Sequence, residues 1–263
     1  MHKLEHIMQL DIDYINSFSV MECCAQGVFF YNKEMPTYFD ANHAHIWKKI
    51  EQVERFLTDL KHFYTSKGLI PRMYLYNLEE NHYCIEALQA HGFQYESFID
   101  EVQCWNGVTV QLPVNPAIQI ERVTNANVQE ALAVEMSIST FGEPAIIKKA
   151  FDKTYQSQHF TYYLLRMNGV ACCTANIFVS GKHGRIESVA TLENYRGKGL
   201  IGYLLQHIQK ESVINRLKYL WILPINEQVA KVYTKANFQS LGKITSIHAF
   251  TEGKSIQELR SAK

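Results

Sequence analysis

Apolar residues recur at three- and four-residue spacing from Trp47 to Ser66. Ile50, Val53, Phe56, Leu57 and Leu60 form one stripe, which predicts a long amphipathic helix closed by Gly68. The same period through Leu200, Ile201, Leu204, Leu205 and Ile208 predicts a helix over 199–214. Shorter periodic runs predict helices in 10–26 (Leu10, Ile12, Ile15, Val20), 81–91, 128–138, 145–155 and 227–236. Extended apolar and aromatic runs predict strands at 27–31, 73–78, 118–123, 160–167, 170–179, 185–192, 219–223 and 241–250, and a strand or hairpin over 95–105. Asn168-Gly169 between two such runs is a strong hairpin signal, and Phe141-Gly142-Glu143-Pro144 reads as the turn between two helices.

The two prolines of Gln111-Leu112-Pro113-Val114-Asn115-Pro116 fall where periodicity lapses, so the expected division is 1–112 and 113–263. The second part has the order β-α-α-β-β-β-α-β-α-β. A faint repeat links the parts. Shifting 73–94 by 145 lays it on 218–239, with Tyr74 on Tyr219, Leu75 on Leu220, Asn81 on Asn226, Phe93 on Phe238 and Gln94 on Gln239. The matching element order favours a duplicated fold over chance.

Composition narrows the functions. Lys+Arg and Asp+Glu each number 26, so the formal charge is zero, which argues against general nucleic-acid binding. The apolar runs are far short of a membrane span, and Met1-His2-Lys3-Leu4-Glu5-His6 has no signal-peptide character. The six cysteines include two adjacent pairs, Cys23-Cys24 and Cys172-Cys173, and no C-x-x-C, which reads as reduced thiols in a cytoplasmic protein. His43-x-His45 with Asp40 nearby lacks the third and fourth ligands of a metal site, so no metal is expected.

The chemistry concentrates in Asn194-Tyr195-Arg196-Gly197-Lys198-Gly199-Leu200-Ile201-Gly202, where a strand gives way to a helix through a basic turn with glycines. Glycines allow close approach, and a helix start offers unpaired N–H groups and a positive dipole end, so the expected ligand is a phosphate or pyrophosphate. A Walker loop is absent, since Gly253-Lys254-Ser255 is preceded by His248 where the first glycine belongs. Gly197 to Gly202 matches the dinucleotide pattern G-x-G-x-x-G, but Glu193 to Arg196 separate it from the strand, and the next strand closes with Leu223-Pro224 rather than an acid.

Val189-Ala190-Thr191-Leu192-Glu193-Asn194-Tyr195-Arg196-Gly197-Lys198-Gly199 resembles motif A of the GNAT superfamily of acyl-CoA-dependent N-acyltransferases, which reads Arg/Gln-x-x-Gly-x-Gly/Ala. Arg196 and Gly199 match, and Ile201 departs, with Gly202 one residue later. The resemblance spans roughly 118–250. It implies an α/β (α+β) fold of two tandem GNAT-like domains, each a mixed, mostly antiparallel sheet flanked by helices. The first lacks the Arg-x-x-Gly-x-Gly turn.

The implied activity is acetyl transfer from acetyl-CoA to a primary amine of a small molecule or peptide. Arg196, Gly197, Lys198, Gly199, Leu200, Ile201 and Gly202 would hold the pyrophosphate, and Val189, Ala190 and Thr191 would pair with the pantetheine amides. Asn226 would lie near CoA, with Tyr233 seven residues on as the acid that protonates the leaving thiolate. The alternative for Tyr233 is core packing, and Leu88 takes its place in the repeat. Glu187 is the candidate general base, or else a strand carboxylate paired with Arg185. Glu135 and Glu143 are further candidates, and Trp221 would line the acceptor groove or sit in the core. The alternative function is a non-catalytic acyl-CoA-binding or regulatory protein.

Overall fold

The computed structural model describes residues 2–138 and 143–261; Phe141 and Gly142 of the expected turn lie outside them. In chain order come α1 (His2–Asn16), β1 (Val20–Cys23), β2 (Gly27–Tyr31), β3 (His43–Ile46), α2 (Val53–Thr65), β4 (Arg72–Leu75), α3 (Leu78–Asn81), α4 (Cys84–Ala90) and β5 (Gln94–Trp105). Then follow β6 (Ile118–Arg122), α5 (Val128–Met136), α6 (Pro144–Tyr155), β7 (Phe160–Met167), β8 (Val170–Ser180), β9 (His183–Thr191), α7 (Leu200–Ile214), β10 (Tyr219–Ile222), α8 (Glu227–Lys235), β11 (Phe238–Phe250) and α9 (Ile256–Ser261).

The chain forms two compact units, each made of two separate stretches of the sequence. Unit 1 holds Met1–Tyr14 and Glu101–Gly242; unit 2 holds Ile15–Asp100 and Lys243–Lys263. The physical reason lies in β5 and β11, each of which passes from one unit into the other. In unit 1 the end of β5 pairs antiparallel with β10, Cys104 opposite Trp221. In unit 2 the end of β11 pairs antiparallel with β4, Ile247 opposite Leu75. The strand after each repeat's short helix thus completes the sheet of the other repeat.

Within unit 1, β6, β7, β8 and β9 form an antiparallel meander and β10 joins β9 in parallel. Asn168 (φ 52°) and Gly169 (φ 80°) make the two-residue turn of the β7–β8 hairpin, as the Asn-Gly pair demands. The α7 stripe of Leu200, Leu204, Leu205 and Ile208 packs on Leu165, Cys173, Ala175, Ile177, Ile186, Leu220 and Ile222. Unit 2 repeats the plan. β1, β2 and β3 are antiparallel, β4 is parallel to β3, and α2 and α4 bury Phe56, Leu57, Leu60 and Leu88 against Ala44, Ile46, Met73 and Leu75.

Several elements differ from the sequence reading. Helix α2 begins at Val53 rather than Trp47, because the preceding amides bond elsewhere: Trp47 and Lys48 donate to the Gln26 carbonyl (3.2 and 3.1 Å), and Ile50 donates to Asn81 Oδ1 (3.0 Å). The helix expected over 81–91 is two short ones, α3 and α4, and 95–105 is one continuous strand. The stretch 10–26, read as helical at its start, is helical as far as Asn16, and Val20 belongs to β1.

Candidate functional site

The strand β9 carries the first unusual feature. Ala190 pairs with Thr174 and Glu187 with Asn176, so three steps on β9 face two on β8, and Ser188 and Val189 have no partner in that ladder. Ser188 has φ 50°, a left-handed conformation that is uncommon for a residue with a Cβ. This is a β-bulge, which re-aims the chain and interrupts pairing. On its other side β9 pairs with β10 only from His183 to Ile186. Residues 187–191 therefore present a strand edge without a ladder on that flank, a place where an extended molecule with amides can add as a strand does. Ala190 is buried, while Val189 and Thr191 are half-buried.

After β9 a single 3-10 turn, Glu193–Tyr195, leads into the basic loop. Gly197 (φ 75°) and Gly199 (φ 73°) are both left-handed, and a Cβ at either would meet nothing within 4 Å, so conformation, not space, requires glycine there. Gly199 caps α7. Among the described residues the N–H groups of 197–201 donate to no protein acceptor, whereas that of Gly202 bonds to the Gly199 carbonyl (3.1 Å). Amides left open at the positive end of a fifteen-residue helix are donors of the kind an anion can use. Arg196 is exposed and its Nε donates to the Thr191 carbonyl (3.2 Å); the Lys198 ammonium lies 4.8 Å from the Tyr195 ring.

The expected phosphate residues thus divide. Leu200 is buried, so it has only its amide to offer. Gly202 is a packing glycine: a Cβ there would stand 3.3 Å from Leu112 Cδ1. Ile201 packs against the α7 core.

Helix α8 contributes Asn226 and Tyr233. Asn226 is the N-cap, its Oδ1 accepting from Val229 N–H at 2.9 Å, which explains where the helix starts and leaves its amide NH₂ without a partner among the described residues. Tyr233 is 5% exposed and tilts against Phe238, with centroids 6.4 Å apart. Its hydroxyl has no hydrogen-bond partner among the described residues. Burial, and next the charge of Glu187, raise its pKa, so the phenol keeps its proton well past neutrality.

Glu187 stands one residue before the bulge, and its Oε1 accepts from Arg185 Nε. Arg185 also donates through Nη1 to Asp11 Oδ1 on α1. The pairing with Arg185 weighed from sequence is therefore present. Glu135 on α5 is 4% exposed with Oε1 unpartnered, and burial pushes it up to about 8, so it is largely protonated at neutral pH. Glu143 is the exposed N-cap of α6. Trp221 is fully buried on β10 and donates to His183 Nδ1 (3.4 Å), which makes it a core residue.

Two features escaped the sequence. The bulge has no glycine or proline to announce it, and Asp11 lies 174 residues from the arginine it binds. Among the described residues no three His, Cys, Asp or Glu side chains are grouped to hold a metal ion, and no helix is long and apolar enough to cross a membrane.

Residues 131–238 match the Acetyltransferase (GNAT) family. No curated protein matches the sequence. Among solved structures, a GCN5-related N-acetyltransferase from Kribbella flavida is 16% identical, with 96% of this chain and 97% of that chain covered at a TM-score of 0.71. A functionally unknown conserved protein from Staphylococcus epidermidis is 14% identical over 90% of this chain and 94% of that chain, TM-score 0.69. A GCN5-related N-acetyltransferase from Sphaerobacter thermophilus is 11% identical over 92% and 86%, TM-score 0.59. At these identities the likeness is one of fold, and it extends over both units.

Proposed function

We propose that this chain, whose residues 131–238 form a GNAT acetyltransferase domain, moves an acetyl group from acetyl-CoA to a primary amine by direct transfer. The observation that carries the reading is a coincidence within unit 1. The unpaired amides of 197–201 and the open edge of 187–191 lie where β9 gives way to α7, and Tyr233, in the last turn of α8, feels the charge of Glu187 on that edge. The basic turn binds the pyrophosphate through backbone N–H groups, with Arg196 and Lys198 adding charge. Val189, Ala190 and Thr191 receive the pantetheine amides along the open edge. Glu187 takes a proton from the incoming amine, directly or through a water, and Tyr233 gives one to the departing thiolate. Asn226 adds its free NH₂ on the CoA side.

Unit 2 is read as a degenerate GNAT-like module, and 1–112 and 113–263 as the two duplicated halves. The cysteines are all free thiols, in keeping with a cytoplasmic setting. The competing reading is a non-catalytic acyl-CoA-binding protein, favoured by Ile201 at the motif's last small position and by the pairing of Glu187 with Arg185. Incubation of acetyl-CoA with amino acids, polyamines, aminoglycosides and lysine peptides, followed by CoA release and mass spectrometry, decides between them. Acetylated product supports the enzyme. CoA binding without transfer to any amine supports the alternative.

A further inference from the structure

We propose that Glu135, Thr174 and Asn176 form a subsite for a second ammonium group of the acceptor, so that the amine substrate is a short diamine rather than a monoamine. The inference rests on the amine-transfer reading and narrows it to a substrate class.

The strands set the arrangement. Cys173, Ala175 and Ile177 of β8 belong to the core under α7, so Thr174 and Asn176, which alternate with them, project from the other face of the sheet. Tyr163 and Ile186 lie in the same core, which puts Tyr162 of β7 and Glu187 of β9 on the face of Asn176, one directly opposite it on each side. Helix α5 packs on β8 and β9, and the charge of its Glu135 reaches Tyr162.

The three side chains are sealed in: Glu135 is 4% exposed, Thr174 0% and Asn176 2%. Among the described residues Glu135 Oε1, Thr174 Oγ1 and Asn176 Oδ1 have no hydrogen-bond partner, which is a costly way to bury an oxygen. The hydroxyl of Tyr162 is engaged with Thr154 Oγ1 (2.6 Å). No described cation pairs with Glu135, and burial alone raises its pKa to about 8. Three oxygens, one of them a carboxyl, match a ligand with N–H donors and a positive charge. A primary ammonium has three donors and no acceptor. A water would bond to the oxygens without giving the carboxyl a counter-charge.

The position suits the reaction. Residues directly opposite on neighbouring antiparallel strands hold their Cβ atoms about 5 Å apart, so a group held at Asn176 lies beside one at Glu187. One nitrogen of a diamine at Glu187 and the other at Glu135 are then joined by a few carbons.

The test is calorimetric titration of the full chain, with CoA present, using diaminobutane and butylamine, which share a carbon chain and differ by one amino group. The parent should bind diaminobutane at least about tenfold more tightly, the effect of one charged hydrogen bond. In Glu135→Gln, which keeps the size of the side chain and removes its charge, the two amines should bind alike. Equal affinities in the parent, or a preference that survives in folded Glu135→Gln, overturn the proposal. If Glu135→Gln does not fold, Thr174→Val takes its place: the preference should shrink severalfold, and an unchanged preference overturns the proposal. If neither folds, the cluster is structural and the proposal fails. The transfer reading is decided separately. Diaminobutane that binds with the expected preference but is not acetylated when acetyl-CoA is supplied removes the transferase and leaves the ammonium subsite standing.

Discussion

The turn after β9 in unit 1 and the turn after β3 in unit 2 occupy the same place in a duplicated plan, yet they treat their amides in opposite ways. After β9 the N–H groups of 197–201 have no acceptor among the described residues, and 197–199 are exposed. After β3 the chain keeps its amides for itself. Trp47 and Lys48 bond to Gln26, and Ile50 bonds to Asn81, the residue that the repeat aligns with Asn226. Asn81 is fully buried, with its NH₂ 3.4 Å from the Lys48 carbonyl, whereas Asn226 is exposed and caps a helix. The β2–β3 ladder is regular where β8–β9 is bulged, and Leu88 is core where Tyr233 offers a hydroxyl. A turn with open donors and a closed structural joint can therefore be built from one topology. What separates them is whether the backbone donors are left for a guest or consumed by the protein's own side chains.

The sharpest way to break this contrast is Gly199→Glu. The substitution forces a Cβ into a φ of 73° and sets a carboxylate against the bound pyrophosphate, so CoA binding should fall below detection, at least 10²-fold. Calorimetry on the parent should show one CoA per chain. Two equivalents, or unchanged affinity in folded Gly199→Glu, would collapse the distinction between the units.

Tyr233→Phe tests the pair Tyr233/Leu88. The ring and its packing remain, so stability and CoA affinity should hold while kcat falls about 10²–10⁴-fold. Since the phenol's pKa is raised, the parent's pH profile should show no alkaline fall from Tyr233 below about pH 10. Parental turnover in the Phe variant would leave Tyr233 a packing residue like Leu88.

The two asparagines give the smallest effects and the finest comparison. Asn81→Ala leaves the buried Ile50 N–H without its acceptor and should cost about 1–3 kcal/mol in denaturant unfolding. Asn226→Ala removes only an exposed cap and should cost about 1 kcal/mol. Equal costs would mean that the joint in unit 2 is no tighter than the turn in unit 1.

Local signals were legible. The apolar stripe of α7, the Asn-Gly hairpin and the basic glycine turn all lie where spacing and turn chemistry put them, because each is decided within a few residues. Ile50 illustrates the limit. It continues the helical stripe of α2 by period, but its amide answers to Asn81, 31 residues away, and the helix starts later. The bulge at Ser188 was illegible for a similar reason: nothing in Glu187-Ser188-Val189 prefers it, and it is seen only in how β9 pairs with β8. The clustering of Asp11, Arg185 and Glu187 likewise depends on tertiary packing that no local pattern records.

The exchange of strand ends has a consequence for synthesis. Residues 72–75 are made early, but their antiparallel partners are 247–250. While the ribosome works through the intervening chain, β4 has an unpaired edge, the kind of surface that invites association with other chains. Unit 2, most of which is made before the main stretch of unit 1, is finished last. A gene cut between the repeats would leave each product short of a strand that only the other encodes, so the duplication, once exchanged, is no longer separable into two working copies.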